Sequence, residues 1–200
     1  MITLTRFSQE RQLQLQAIVD RDTRDGVCVG LCDYWLSQIK SHPDVAPAER
    51  LQLLRDNFGQ IMNHQRHYAG LRDRRGREHA RREVGDQLGL RYHTDDTAIM
   101  RTRVGIGGIR TKLAGDIGRV GAAASWTLEF ADGTRHAIAG FCGISGGPGP
   151  ISHLRSHVFD PNIGEYVGPF RELDYILSDL LSKFPSYGTV TDVYRTTEGR

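Results

Sequence analysis

The stretch "GVCVGLCDYWL", Gly26 to Leu36, places two of the chain's three cysteines four residues apart, directly after a glycine. Cys28, Cys32, Trp35 and Ile39 fall at i, i+4, i+7 and i+11, one face of a helix from Val27 to about Lys40. Cys28 lies at the start of that helix, where unpaired backbone N–H groups and the positive end of the helix dipole favour a thiolate. Two readings of Cys28 stay open on position alone. It is a small buried residue, as free cysteines commonly are, or a nucleophile readied by the helix end. Gly26 and Gly30 beside it would let a substrate backbone approach closely. Cys32, one turn deeper between Leu31 and Trp35, reads as core. No further ligands accompany the pair, and zinc takes three or four, so a metal site is disfavoured. A disulfide within one helix would be strained.

Outward from this helix the chain divides into a helical part, about residues 8–90, and a sheet part, about 100–200. Together they suit a single domain over 1–200. Ser8 to Val19 reads as a short polar helix, followed by the charged loop "DRDTRDG". Two prolines in "SHPDVAPAER" end the Cys28 helix, and Pro47 opens another running to about Tyr68. Arg66 to Arg82 holds seven arginines against two acids. It reads as a solvated, partly helical face; the alternative is a docking patch for an acidic protein surface or, less favoured, for nucleic acid. The glycine-rich stretch "RVGIGGIRTKLAGDIGRVGAAA" reads as loop and short strand. Its "GIGGIRTK", from Gly105, lacks the Gly-Lys-Ser/Thr ending of a phosphate loop.

The period then changes to two. "SWTLEF" points Trp126, Leu128 and Phe130 inward and Thr127 and Glu129 outward. Asp132-Gly133 is a hairpin turn, and "RHAIAGFCGI" is the return strand. Beyond the loop containing Gly146 and Gly147, "RSHVFDPNIGEYV" reads as strand, turn at Asp160-Pro161-Asn162, strand. A helix from about Pro169 to Phe184 and a closing strand in "YGTVTDVYRT" complete an α+β arrangement.

A net charge of +2 does not by itself imply nucleic acid, and no apolar run reaches the ~18 residues of a membrane span. The polar N-terminus lacks the apolar region of a cleaved secretory signal. Three unevenly spaced cysteines make no disulfide framework. His136 starts a strand just after a hairpin, where its ring can be held while one edge reaches a cleft. Asp160 ends another strand and could accept the second ring N–H. Alone, His136 could be an ordinary strand residue and Asp160 a plain turn starter before proline.

Their order is more telling than either position. A cysteine at a helix start, then a histidine and an aspartate on later strands, resembles the papain-like cysteine proteases. Three blocks narrow the resemblance: "GVCVGLCDYWL", "HAIAG" and "HVFDPNIGEY". They are similar to the catalytic blocks of the YopT/AvrPphB family of bacterial effector cysteine proteases, and their order spans about residues 20 to 185. The resemblance implies a papain-like α+β fold with a Cys28–His136–Asp160 triad and Trp35 buried beneath the nucleophile. Gly164 and Glu165 then serve structure rather than chemistry. Proteases of this fold usually carry Gln or Asn shortly before the cysteine, and none lies between Ala17 and Val27. Thr23, Asp22 or a backbone N–H is therefore expected to complete the oxyanion hole. Gly26, Gly30, Gly146 and Gly147 are expected to line the substrate cleft.

The implied activity is a cysteine endopeptidase, needing no metal and no organic cofactor. It would act as an effector or toxin on specific proteins in a target cell, either a eukaryotic host or a competing bacterium. Export without a cleaved signal, action in the target-cell cytoplasm and a cognate immunity protein or chaperone follow from that reading. So does a chain that is either a trimmed catalytic domain or a compact effector. An acyltransferase or glutamine deamidase would use the same triad. A non-enzymatic binding module would use the arginine-rich face instead.

Overall fold

The computed structural model describes residues 1–16, 23, 26–94, 106–144, 154–183 and 190–198. Seven strands form one sheet: β1 (Thr3–Arg6), β2 (Tyr92–Thr94), β3 (Ala123–Phe130), β4 (Arg135–Ile144), β5 (Leu154–Asp160), β6 (Gly164–Pro169) and β7 (Val190–Glu198). Their order across the sheet is β1-β6-β5-β4-β3-β7-β2, and every neighbouring pair is antiparallel. The described helices are α1 (Gln9–Gln14), α2 (Cys28–Ser41), α3 (Pro47–Asp56), α4 (Phe58–Arg75), α5 (Arg77–Gln87), α6 (Ile106–Asp116) and α7 (Leu173–Ser182). The α+β class expected from the sequence is the class observed.

Both faces of the sheet are covered. One core joins α2, α3, α4 and α5 to the sheet through Trp35, Leu36, Phe58, Ala137, Ala139, Phe141 and Phe159. The other packs α6 and α7 on the opposite face, around Trp126, Leu128, Ile138, Val158, Ile176 and Leu180. Thr127 is consequently buried rather than facing outward, because the face opposite Trp126 is covered too.

The helix α6 corrects the reading of its segment as loop and short strand. Ile109, Leu113 and Ile117 supply an apolar stripe at four-residue spacing, and all three are buried. Glycines at 107, 108 and 115 conceal that stripe, since each disfavours a helix by about 1 kcal/mol relative to alanine. The helix expected from Pro47 to Tyr68 breaks at Asn57, whose φ of −100° and ψ of 14° leave the helical region. Helix resumes at once and runs through the arginine-rich stretch, turning only at Gly76, where φ is +83°.

Two short strands escape the period-two test. β1 has four residues and gains its partner only from β6, where Thr3 lies opposite Val167 and Arg6 opposite Gly164. β2 has three residues and pairs with the far end of β7.

Candidate active site

Helix α2 runs against β4 and β5, so its first residue comes to the strand ends that carry His136 and Asp160. Cys28 is half-buried, and its thiol is hydrogen-bonded to the His136 ring. His136 donates Nε2–H to Asp160 Oδ1 at 3.1 Å, which leaves Nδ1 for the thiol. Asp160 Oδ1 also accepts the Asn162 backbone N–H at 2.7 Å, closing an Asx turn before the next strand.

The three free cysteines differ in chemistry. Burial pushes Cys32 well above the ordinary thiol range and Cys142 up to about 11. Burial pushes Cys28 upward as well. The hydrogen bond and charge of His136, with the backbone N–H groups of Ala137 and Val29, overcome it and lower its pKa. Burial works against His136 carrying charge, but Asp160 and Cys28 outweigh it and raise the imidazole to about 10. A thiolate beside an imidazolium is the state that the His136–Asp160 contact and the surrounding N–H groups favour against burial.

The turn around Cys28 is held by two side-chain amides. Gln9 Oε1 accepts the Val27 N–H and Gln65 Oε1 accepts the Gly30 N–H, each at 3.0 Å. Neither amide takes Cys28's own N–H. Gly30 is buried, and a Cβ there would come within 2.8 Å of Ile61 O, so its small size serves contact with α4 rather than a cleft. Gly26 has φ +124° and passes close to Gln9. Thr23 is buried, with its carbonyl accepting the Gly26 N–H at 3.1 Å. Asp22, Gly146 and Gly147 lie outside the described residues.

Nearly every member of "FDPNIGE" has a partner in the N-terminal part of the chain. Phe159 stacks on Trp35 with ring centroids 5.5 Å apart and meets Phe7 edge-on. Pro161 O accepts the Gln9 N–H at 2.7 Å, and Ile163 O accepts the Phe7 N–H at 3.0 Å. Asn162 Oδ1 accepts from Gln9 Nε2 at 2.7 Å. Gly164 leaves no room for a side chain, since a Cβ would lie 1.9 Å from Thr5 O. Glu165 is fully buried and accepts from Trp35 Nε1, Arg50 Nε and His157 Nδ1 at 2.9, 3.1 and 2.9 Å.

A third buried carboxylate, unforeseen in the sequence, holds α2 to the helical side. Asp33 pairs with Arg81 at 2.9 Å and accepts from His64 Nε2 at 3.1 Å and Tyr92 OH at 2.6 Å. Arg81 therefore departs from the solvated reading of the arginine stretch. Three more arginines of the stretch are paired: Arg72 meets Asp73, Arg82 meets Glu78, and Arg75 meets Glu83 just beyond it. An open cavity of about 460 Å³ between α2, α4 and the end of α5 includes Tyr34, His64 and His67 in its wall and none of the predicted site residues.

Among the described residues no cluster of three His, Cys, Asp or Glu side chains is placed to hold a metal ion. No described helix is long and apolar enough to cross a membrane. The fold is similar to that of the Pseudomonas avirulence protein AvrPphB. The TM-score is 0.67 at 20% sequence identity, covering 94% of this chain and 100% of that one. No family model matches the sequence, and no curated protein matches it.

Proposed function

We propose that the protein is a cysteine endopeptidase in which Cys28 is the nucleophile, His136 the acid and base, and Asp160 the group that orients His136. The observation that carries this reading is the juxtaposition of Cys28, at the first residue of α2, with a His136 ring held by Asp160 Oδ1 at 3.1 Å; the same contact lowers the Cys28 thiol while burial raises the other two. The Cys28 thiolate attacks a peptide carbonyl. The charge on the carbonyl oxygen is met by the Cys28 backbone N–H and a second donor, for which the Thr23 hydroxyl is the candidate. Asp22 suits that task less, because an ionised carboxylate has no proton to donate. His136 protonates the leaving amine and then, neutral, takes a proton from the water that hydrolyses the thioester. Fold likeness to an avirulence protein supports action on selected proteins within a target cell.

The test is to incubate wild type and Cys28→Ala with target-cell lysate and sequence the new N-termini. A few discrete termini made only by wild type support the reading. No new termini, with glutamine deamidation or acylation appearing instead, would transfer the triad to the alternative chemistry.

A further inference from the structure

Two of the three residues in the proposed triad enter on elements far apart in the chain. Cys28 opens α2, whereas Asp160 ends β5, and His136 reaches between them. Something besides the imidazole must hold the helix start and the aspartate turn at a fixed separation, because a misplacement of ~1 Å can lower a rate about 100-fold. The N-terminal segment does this through one side chain. Gln9 is buried, and its amide oxygen accepts the N–H of Val27, the residue before Cys28, at 3.0 Å. Its amide nitrogen donates to Asn162 Oδ1 at 2.7 Å. Its backbone N–H donates to Pro161 O at 2.7 Å, and Asn162's own N–H donates to Asp160 Oδ1. A continuous hydrogen-bonded path thus runs from the helix end bearing the thiol to the carboxylate that holds the histidine.

Two glycines make the path possible. A Cβ at Gly26 would sit 3.2 Å from Gln9 Oε1, and one at Gly164 would strike Thr5 O and Phe7 N. The chain is therefore pared down on both sides where the N-terminal segment crosses. A glutamine amide carries an acceptor and a donor on one planar group at any pH, and Gln9 uses both.

We infer that Gln9 is a positioning residue for the Cys28–His136–Asp160 site, coupling the nucleophile's helix to the Asp160 turn through Val27 and Asn162. This rests on the triad reading above. The distinguishing readout is the pH dependence of Cys28 alkylation by iodoacetamide, which a purely structural role would leave unchanged in the folded protein. Gln9→Met keeps the volume and removes both hydrogen bonds. The Cys28 midpoint is expected to rise by about one pH unit, with an about tenfold slower reaction at low pH. Asn162→Ala should do the same, and the double variant should fall no further, because the two residues act as one link. Ser8→Ala removes the cap of α1 from Arg11 N–H without touching the path, and should leave the midpoint in place.

An unmoved midpoint in folded Gln9→Met overturns the inference, whatever its melting temperature. Should Gln9→Met not fold, an unmoved midpoint in Asn162→Ala overturns it equally. A wild-type Cys28 that titrates like a free thiol, with or without His136, would instead overturn the triad reading on which the link depends.

Discussion

Trp35 donates its indole N–H to Glu165 at 2.9 Å, joining residues 130 positions apart and tying the middle of α2 to the strand after the aspartate turn. Arg50 and His157 complete the shell around this carboxylate, so a full negative charge is held inside the core with donors on several sides. Burial alone would raise its pKa. The His157 hydrogen bond and the Arg50 charge reverse that and lower it.

Replacing Glu165 with Gln should therefore destabilise the protein by about 3–5 kcal/mol, since Arg50 is left buried without its counter-charge. The pH dependence has a definite sign. A carboxylate with a depressed folded pKa contributes stability that is present above its unfolded value of about 4.3 and is lost as pH falls through the folded value. Urea denaturation at a series of pH values checks both points. The gap between wild type and Glu165→Gln should narrow as pH falls below about 4.3.

Asp33 makes a parallel case on the helical side. Tyr92→Phe removes one hydrogen bond to a charged acceptor and should lower stability by about 1.5–3 kcal/mol. Asp33→Ala strands Arg81 in the core and should lower it by more, about 3–5 kcal/mol. Equal effects of the two substitutions in urea unfolding would mean that leaving Arg81 without its counter-charge costs no more than the loss of one hydrogen bond.

Some of this was legible in the chain and some was not. The face of α2, the Asp132-Gly133 hairpin and the strand–turn–strand around Asp160 are local patterns, written in spacing and turn chemistry. Strand β1 is four residues whose strand character comes from β6, and α6 hides its apolar stripe among glycines. The supporting side chains were harder still. Gln9 acquires meaning only from Asn162, 153 residues away, and Arg81 looks like any neighbouring arginine until Asp33 is found opposite it. Site residues with intrinsic chemistry stand out in a sequence; the amides and ion pairs that hold them do not.

Glycine positions give a paired stability test. Gly164→Ala adds a Cβ 1.9 Å from Thr5 O at a φ of +129°, so β1 must separate from β6. Amide exchange in residues 3–6 should accelerate, and stability should fall by at least about 1–3 kcal/mol. Gly59→Ala adds a Cβ into open space early in α4. It should raise stability by up to about 1 kcal/mol through helix propensity. A Gly164→Ala protein with unchanged exchange in β1 would contradict the close approach.

The pH profile of the candidate site carries the heaviest consequence. Cys28 is lowered and His136 is raised to about 10, so the thiolate–imidazolium pair should persist from below the ordinary thiol value of about 8.5 up to about pH 10. Iodoacetamide should accordingly alkylate Cys28 at pH values where a free cysteine is protonated. Peptidase turnover should fall on the alkaline side as His136 loses the proton it gives the leaving amine. His136 also contributes stability that is complete below its unfolded value of about 6.5 and is lost as pH rises through about 10. In His136→Ala the burial that opposes the thiolate remains while its main compensation is gone. Cys28 should then titrate at or above the free-thiol value and lose its low-pH reactivity. A Cys28 that keeps that reactivity without His136 would assign the activation to the end of α2 and the backbone N–H groups around the sulfur, and His136 would no longer be needed to explain the nucleophile.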